Sequence, residues 1–113
     1  MTYKPIVYTI VETEIFERLW PSYWTDQAYD EFITFITENP EAGDIVKGSG
    51  GMRKVRWSRS GSGKSGGVRV IYFNRLANGQ ICLVFIYAKS KLDSISAKTL
   101  KEMKHEIEKT FNR

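Results

Sequence analysis

VRVIYFNRLANGQICLVFIYAK, residues 68–89, reads as two β-type runs joined by a turn. Val68–Arg75 is rich in β-branched and aromatic residues, the kind that fit a pleated surface. Leu76-Ala77-Asn78-Gly79 then supplies an Asn-Gly pair, a strong hairpin signal because both residues tolerate the left-handed backbone of a tight turn. Gln80–Lys89 contains the longest apolar run of the chain, Ile81–Ala88. A run this short cannot span a bilayer, which needs about 20 apolar residues. It predicts a strand buried on both faces and interior to a sheet.

Working outward, Met52–Ser58 completes a three-strand meander. Side chains alternate across a strand, so Met52, Lys54, Arg56 and Ser58 share one face, with Arg53, Val55 and Trp57 on the other. The linking segments, Gly43–Gly51 and Arg59–Gly67, are Gly-rich. Lys4–Val11 alternates around Ile6, Tyr8 and Ile10 and predicts a first strand. Thr13–Trp20 suggests a short helix that Pro21 ends. A second helix, capped by Thr25 or Asp26, runs to Asn39, with Tyr29, Phe32, Ile33 and Ile36 at helical spacing. Ser94 or Ser96 caps a last helix with Leu100, Met103, Ile107 and Phe111 as its apolar stripe. The expected fold is α+β: a small antiparallel sheet, the N-terminal strand plus the meander, with two N-terminal helices and one C-terminal helix. At 113 residues the chain is expected to form a single domain spanning 1–113.

Charge is segregated. Ile45–Leu92 contains no acid and ten bases: Lys47, Arg53, Lys54, Arg56, Arg59, Lys64, Arg69, Arg75, Lys89 and Lys91. The first 44 residues run the other way, with nine acids against Lys4 and Arg18. A net charge of +4 understates this asymmetry. It predicts one face of strong positive potential and a polyanionic partner, nucleic acid first. The first residues show no charged-then-apolar leader, and Cys82 is the sole cysteine. Both features fit a cytoplasmic protein with no membrane partner. One Cys and one His assemble no soft metal site, so neither metal nor cofactor is expected.

Gly61-Ser62-Gly63-Lys64-Ser65 imitates a phosphate-binding loop but fails its test. Ser58 stands where the pattern requires the first Gly, and a β-type run follows where a helix must. Lys54 and Arg56, two apart on one strand face, with Arg69 on the next strand, carry more information. Guanidinium groups suit phosphate because they donate bidentately and stay charged. Trp57, Phe73 and Phe85 are expected in the core, which leaves Tyr87 as the ring most suited to a functional role. His105, between Lys104 and Glu106, falls on the polar side of its helix. Trp20, Tyr23 and Trp24 cluster around Pro21 beside the acidic N-terminal third and predict a protein-docking surface; the alternative is that Trp20 and Trp24 cover the core.

Three segments together resemble one family. Gly48-Ser49-Gly50-Gly51-Met52-Arg53-Lys54-Val55-Arg56, Gly63-Lys64-Ser65-Gly66-Gly67-Val68-Arg69-Val70-Ile71-Tyr72 and Ile86-Tyr87-Ala88-Lys89-Ser90-Lys91 are similar to bacterial toxins of the RelE/HigB superfamily, in particular its HigB branch. The resemblance implies a ribosome-dependent, metal-independent endoribonuclease that cuts mRNA, stops translation and is silenced by a cognate helix-turn-helix antitoxin. By position it puts active-site bases at Lys54, Arg56 and Arg69, and Lys89 and Lys91 near the catalytic C-terminal segment. With Tyr87, the ring singled out above, Lys54, Arg56, Arg69 and Lys89 are the expected catalytic residues, and Lys47, Arg53, Arg59, Lys64 and Lys91 of the acid-free stretch are expected to bind RNA or the ribosome. The antitoxin itself is implied by the resemblance; that it docks against Trp20, Tyr23 and Trp24 is expected from the aromatic cluster described above. The chain departs from many relatives in having no Tyr or His in Asp93-Ser94-Ile95-Ser96. A second reading therefore stays open, a non-catalytic RNA-binding or partner-binding module derived from such a toxin.

Overall fold

The computed structural model describes residues 7–57, 67–88 and 95–111. The chain runs β1 (Thr9–Glu12), α1 (Glu14–Leu19), a 3-10 turn (Trp20–Ser22), α2 (Asp26–Glu38), β2 (Asp44–Ile45), β3 (Arg53–Trp57), β4 (Val68–Arg75), a second 3-10 turn (Leu76–Asn78), β5 (Gln80–Ala88) and α3 (Ala97–Phe111). Five strands form one sheet in the order β1-β5-β4-β3-β2. The α+β class and the meander match the sequence reading. Two features of the sheet go beyond it. Strand β1 pairs parallel to β5, so the sheet is mixed, and a two-residue strand β2 adds a fifth member.

Local chemistry explains the element ends. Thr13 caps α1 by accepting from Phe16 N at 3.0 Å, and its hydroxyl donates to Val84 O at 2.7 Å, tying helix to sheet. Thr25 caps α2 by accepting from Ala28 N at 3.1 Å. Ser96 does the same for α3 through Thr99 N at 3.1 Å. Gly79, at φ 67°, occupies the left-handed position that closes the hairpin after Asn78. Gly43 sits where a Cβ would lie 2.9 Å from the Tyr72 ring and 3.0 Å from the Lys54 backbone. That close approach lets β2 lie against β3. The Tyr72 hydroxyl secures the same corner, accepting from Gly43 N and donating to Pro40 O, each at 2.9 Å.

The core has two layers, one on each side of the sheet. Phe16, Trp24, Ala28, Phe32 and Ile36 from the helical N-terminal half pack on Val55, Val68, Val70, Tyr72, Ile81, Leu83 and Ile86. On the opposite face Leu100 of α3, with Met103, Ile107 and Phe111, packs with Met52, Ile71, Phe73, Cys82, Val84 and Tyr87. Burying a large apolar side chain contributes roughly 1.5–3 kcal/mol, so both layers are needed to hold a sheet this small.

A bulge interrupts β5. Ile71 pairs with Phe85 but Tyr72 pairs with Leu83, so Val84 is an extra residue. Val84 and Phe85 both pack on the α3 side, and alternation resumes with Ile86 on the other face. Tyr87 consequently emerges on the α3 side. An unbroken strand would have sent it to the α1/α2 side.

Candidate nucleic-acid interface

Arg56 on β3 pairs with Arg69 on β4, and Arg69 pairs with Tyr87 on β5. These three side chains form one row across three strands, spaced at about 4.8 Å between neighbouring strands. The adjacent row on the same face is Asp44, Lys54, Ile71 and Phe85. The site is thus a product of register, with each strand contributing one or two groups to a shared surface.

Exposure differs sharply within it. Lys54 and Arg56 are exposed, whereas Arg69 is 8% and Tyr87 3% accessible. Two guanidinium groups directly opposite each other repel, an arrangement that costs stability unless an anion neutralises it. Burial raises the Tyr87 phenol above its ordinary value, and the nearby Arg69 charge pulls the other way. The hydroxyl therefore stays protonated at neutral pH and is available as a donor. Helix α3 covers the neighbouring part of this face, and its N-terminal end carries the positive end of the helix dipole.

Other predicted residues fall elsewhere. Arg53 lies on the opposite face. Its guanidinium donates to Gly43 O at 2.7 Å and approaches Glu41 at 3.9 Å, so it braces the β2 corner, away from the cationic row. Lys47 is exposed in the loop before β3. Arg75 donates to Gln80 Oε1 at 2.8 Å and stacks 4.2 Å from the Phe111 ring centroid, closing the hairpin against α3. Arg59, Lys64, Lys89 and Lys91 lie outside the described residues. His105 is exposed, as expected of a polar-side residue. The sequence reading missed Asp44, which register places directly opposite Lys54 as the acid of the cationic face. Nothing in a single-sequence pattern revealed a two-residue strand there.

The aromatic surface near Pro21 needs correction. Trp24 is 5% accessible and packs 5.0 Å from the Phe32 ring and 6.3 Å from the Phe16 ring. It is a core residue, and its ring is not free to anchor a partner. Trp20 and Tyr23 are half-buried, with Trp20 stacked 4.2 Å from Tyr29. The Tyr29 hydroxyl donates to the Glu12 carboxylate. Burial raises the Glu12 carboxyl above its ordinary range, the Tyr29 hydrogen bond opposes this, and Glu17 adds to it.

Cys82 is free and buried, its thiol pushed up to about 12 by desolvation, which leaves it unreactive at neutral pH. Among the described residues, no three His, Cys, Asp or Glu side chains come together as a metal site, and no helix is long and apolar enough to cross a membrane.

Comparison with known proteins bears on this geometry. The family described as "RelE toxin of RelE / RelB toxin-antitoxin system" matches residues 11–113. Among solved structures, a doubly Arg-to-Ala substituted form of the E. coli toxin RelE in the free state superposes with a TM-score of 0.55 at 14% identity. The alignment covers 77% of this chain and 88% of that one. At that identity the likeness is one of fold.

Proposed function

This chain belongs to the RelE toxin family, and on that premise we propose that it is a ribosome-dependent mRNA endoribonuclease of the HigB branch, active in the cytoplasm and silenced by a cognate helix-turn-helix antitoxin. The single observation that carries the reading is the Arg56–Arg69–Tyr87 row with Lys54 beside it. It is a surface for one phosphate group, built from groups that suit phosphate.

RNA cuts itself when a 2′-oxygen loses its proton and attacks the adjacent phosphorus in line. The 5′-oxygen then leaves with a proton. Extra negative charge builds on the phosphate oxygens, and pre-placed cations lower that barrier. Arg69, held with little access to water, and Arg56 stabilise this charge. Electrostatic attraction is strongest where water is excluded. Lys54 holds the neighbouring backbone. The Tyr87 phenol, kept protonated by burial, donates a hydrogen bond to the reacting phosphate or a proton to the leaving oxygen. Lys89, next in sequence after β5, joins the catalytic set in this reading, and Arg59, Lys64 and Lys91 extend the binding surface. The ribosome supplies the strand geometry that four side chains on a flat sheet do not impose.

The antitoxin is proposed to dock on the helical N-terminal side through Trp20 and Tyr23. Exposed Glu14, Glu17, Asp26, Asp30, Glu31 and Glu38 surround them. Trp24 takes no part.

Cell-free translation followed by primer extension tests the activity. Cuts within codons of translated mRNA, absent without ribosomes, are the expected result. Ribosome binding without cuts overturns the enzyme assignment in favour of a non-catalytic RNA-binding module.

A further inference from the structure

The loop between β2 and β3 is rigidly built against the start of α3. Val46 N donates to Met52 O at 2.9 Å and closes it. Ser49 is fully buried beneath; its hydroxyl donates to Val46 O at 2.6 Å and accepts from Met52 N at 3.0 Å. Gly48, Gly50 and Gly51 all have positive φ, 82°, 77° and 102°. A Cβ at Gly48 would touch the Ala97 methyl at 3.6 Å, and one at Gly50 would touch Lys101 Cγ at 3.7 Å. The loop therefore runs alongside the first turns of the helix. Leu100, between the helix lysines, is buried with Met52 and fixes the helix rotation.

The charges here oppose what helix stability requires. The first turn of α3 holds no acid. Lys98 and Lys101 lie at i and i+3 in its opening turns, where they repel each other and face the positive end of the helix dipole. Among the described residues, the side chains of Lys47, Lys98 and Lys101 make no ion pair and no hydrogen bond. Further along the same helix the pattern is normal: Lys104 pairs with Glu108 at 3.1 Å and Lys109 with Glu106 at 3.3 Å. Of the described carboxylates, Asp44 stands opposite Lys54 across β2 and β3, and Glu102, which follows Lys101 and lines a surface pocket with it, makes no ion pair with Lys98 or Lys101. The amides of Gly48, Gly50 and Gly51 likewise form no bond among the described residues. A helix start that gathers bases and no acid, with no ion pair made by these lysines among the described residues, breaks a local rule of the kind that marks a functional surface.

We infer that Lys47, Lys98 and Lys101, with the amides of the Gly48–Gly51 loop, form a second anion grip for the phosphodiester backbone of RNA. The grip lies on the α3 side, beyond Lys54 from the Arg56–Arg69 row. It rests on the ribonuclease reading and adds to it a binding subsite that contributes to strand retention more than to bond cleavage. Clustered backbone amides and lysines recognise phosphate without reading bases.

The test is the double variant Lys98→Gln with Lys101→Gln, alongside Lys98→Arg with Lys101→Arg. Affinity for mRNA-programmed ribosomes is measured over a salt series, with cutting rate as a function of ribosome concentration and thermal melting. The Gln variant is expected to bind at least ten times more weakly at low salt, and to lose about 0.7 from the logarithmic salt slope for each single-strand phosphate contact removed. Most of the cutting loss should fall on the half-saturating ribosome concentration. The Arg variant should keep both affinity and slope. The melting temperature of the Gln variant should hold or rise, because wrong-signed charges leave the helix start. An unchanged affinity and slope, or a lower melting temperature, overturns the grip. Failure of the ribonuclease reading looks different: wild-type protein binds without cutting, yet the Gln variant still loses affinity and slope.

Discussion

Arg56 and Arg69 face each other directly across β3 and β4, one exposed and one 8% accessible. Like charges directly opposite on a sheet are destabilising by roughly 0.2–1 kcal/mol. Arg56→Gln, an exposed substitution, should leave stability in urea unfolding within about 0.5 kcal/mol of wild type while lowering cutting. A variant that is both less stable and fully active would show that Arg56 serves the fold.

Arg69→Ala should abolish cutting and cell toxicity with the fold retained. If Arg69 acts like a single oxyanion donor, its loss costs about 2.7–4 kcal/mol of transition-state stabilisation. Single-turnover cutting on programmed ribosomes measures this, with circular dichroism as the fold control. Lys54→Ala should weaken cutting too. A folded Arg69→Ala protein cutting at the wild-type rate would move the chemistry elsewhere.

Tyr87 offers a pH signature. Its pKa is raised on folding, so the stability gained by burying the neutral phenol is complete below about 10, the ordinary tyrosine value, and is lost as pH rises through the higher folded value. Tyr87→Phe should remove that alkaline loss, measured as urea stability at neutral and strongly alkaline pH. It should also slow cutting by about 10²-fold or more if the phenol is the general acid. Wild-type cutting by the Phe variant would confine Tyr87 to packing.

Glu12 gives the acid-side counterpart. Burial raises its carboxyl, so the folded state holds its proton more tightly than the unfolded chain. Its contribution is fully present below the ordinary carboxyl value and is lost as pH rises through the raised one. Glu12→Gln should therefore flatten the stability profile across that window. Chemical denaturation from pH 4 to 7 checks this, and parallel profiles for the two proteins would refute it.

Trp24 and Tyr23, neighbours in sequence, should behave oppositely. Trp24→Ala empties a core position among Phe16 and Phe32, an aromatic loss of about 3–5 kcal/mol. Tyr23→Ala with Trp20→Ala should cost less stability but weaken antitoxin binding. Isothermal titration with the cognate antitoxin separates the two. Unchanged affinity in the Trp20/Tyr23 double variant would favour direct occlusion of Arg56 and Arg69.

The amino-acid sequence by itself determined every helix and every strand but β2, and most of their faces. Asn78-Gly79 marked the hairpin, Thr25 or Asp26 and Ser94 or Ser96 marked the helix starts to within two residues, and the two-residue spacing of Lys54 and Arg56 put both on one sheet face. Those signals are local: a cap, a turn or an alternation is settled by a few adjacent residues. Relationships between distant segments were decided only in the tertiary structure. Period-two alternation is the same in parallel and antiparallel strands, so nothing in Thr9–Glu12 announced that it pairs parallel to β5. Trp24 could line a surface or fill a core on identical sequence grounds, and packing against Phe32 and Phe16 chose the core. The strongest case is Val84. As an extra residue in β5 it reverses the facing of every residue after it, and so brings Tyr87 to Arg69. A bulge arises from how two strands fit between layers on both faces, and that fit exists only once the layers have met.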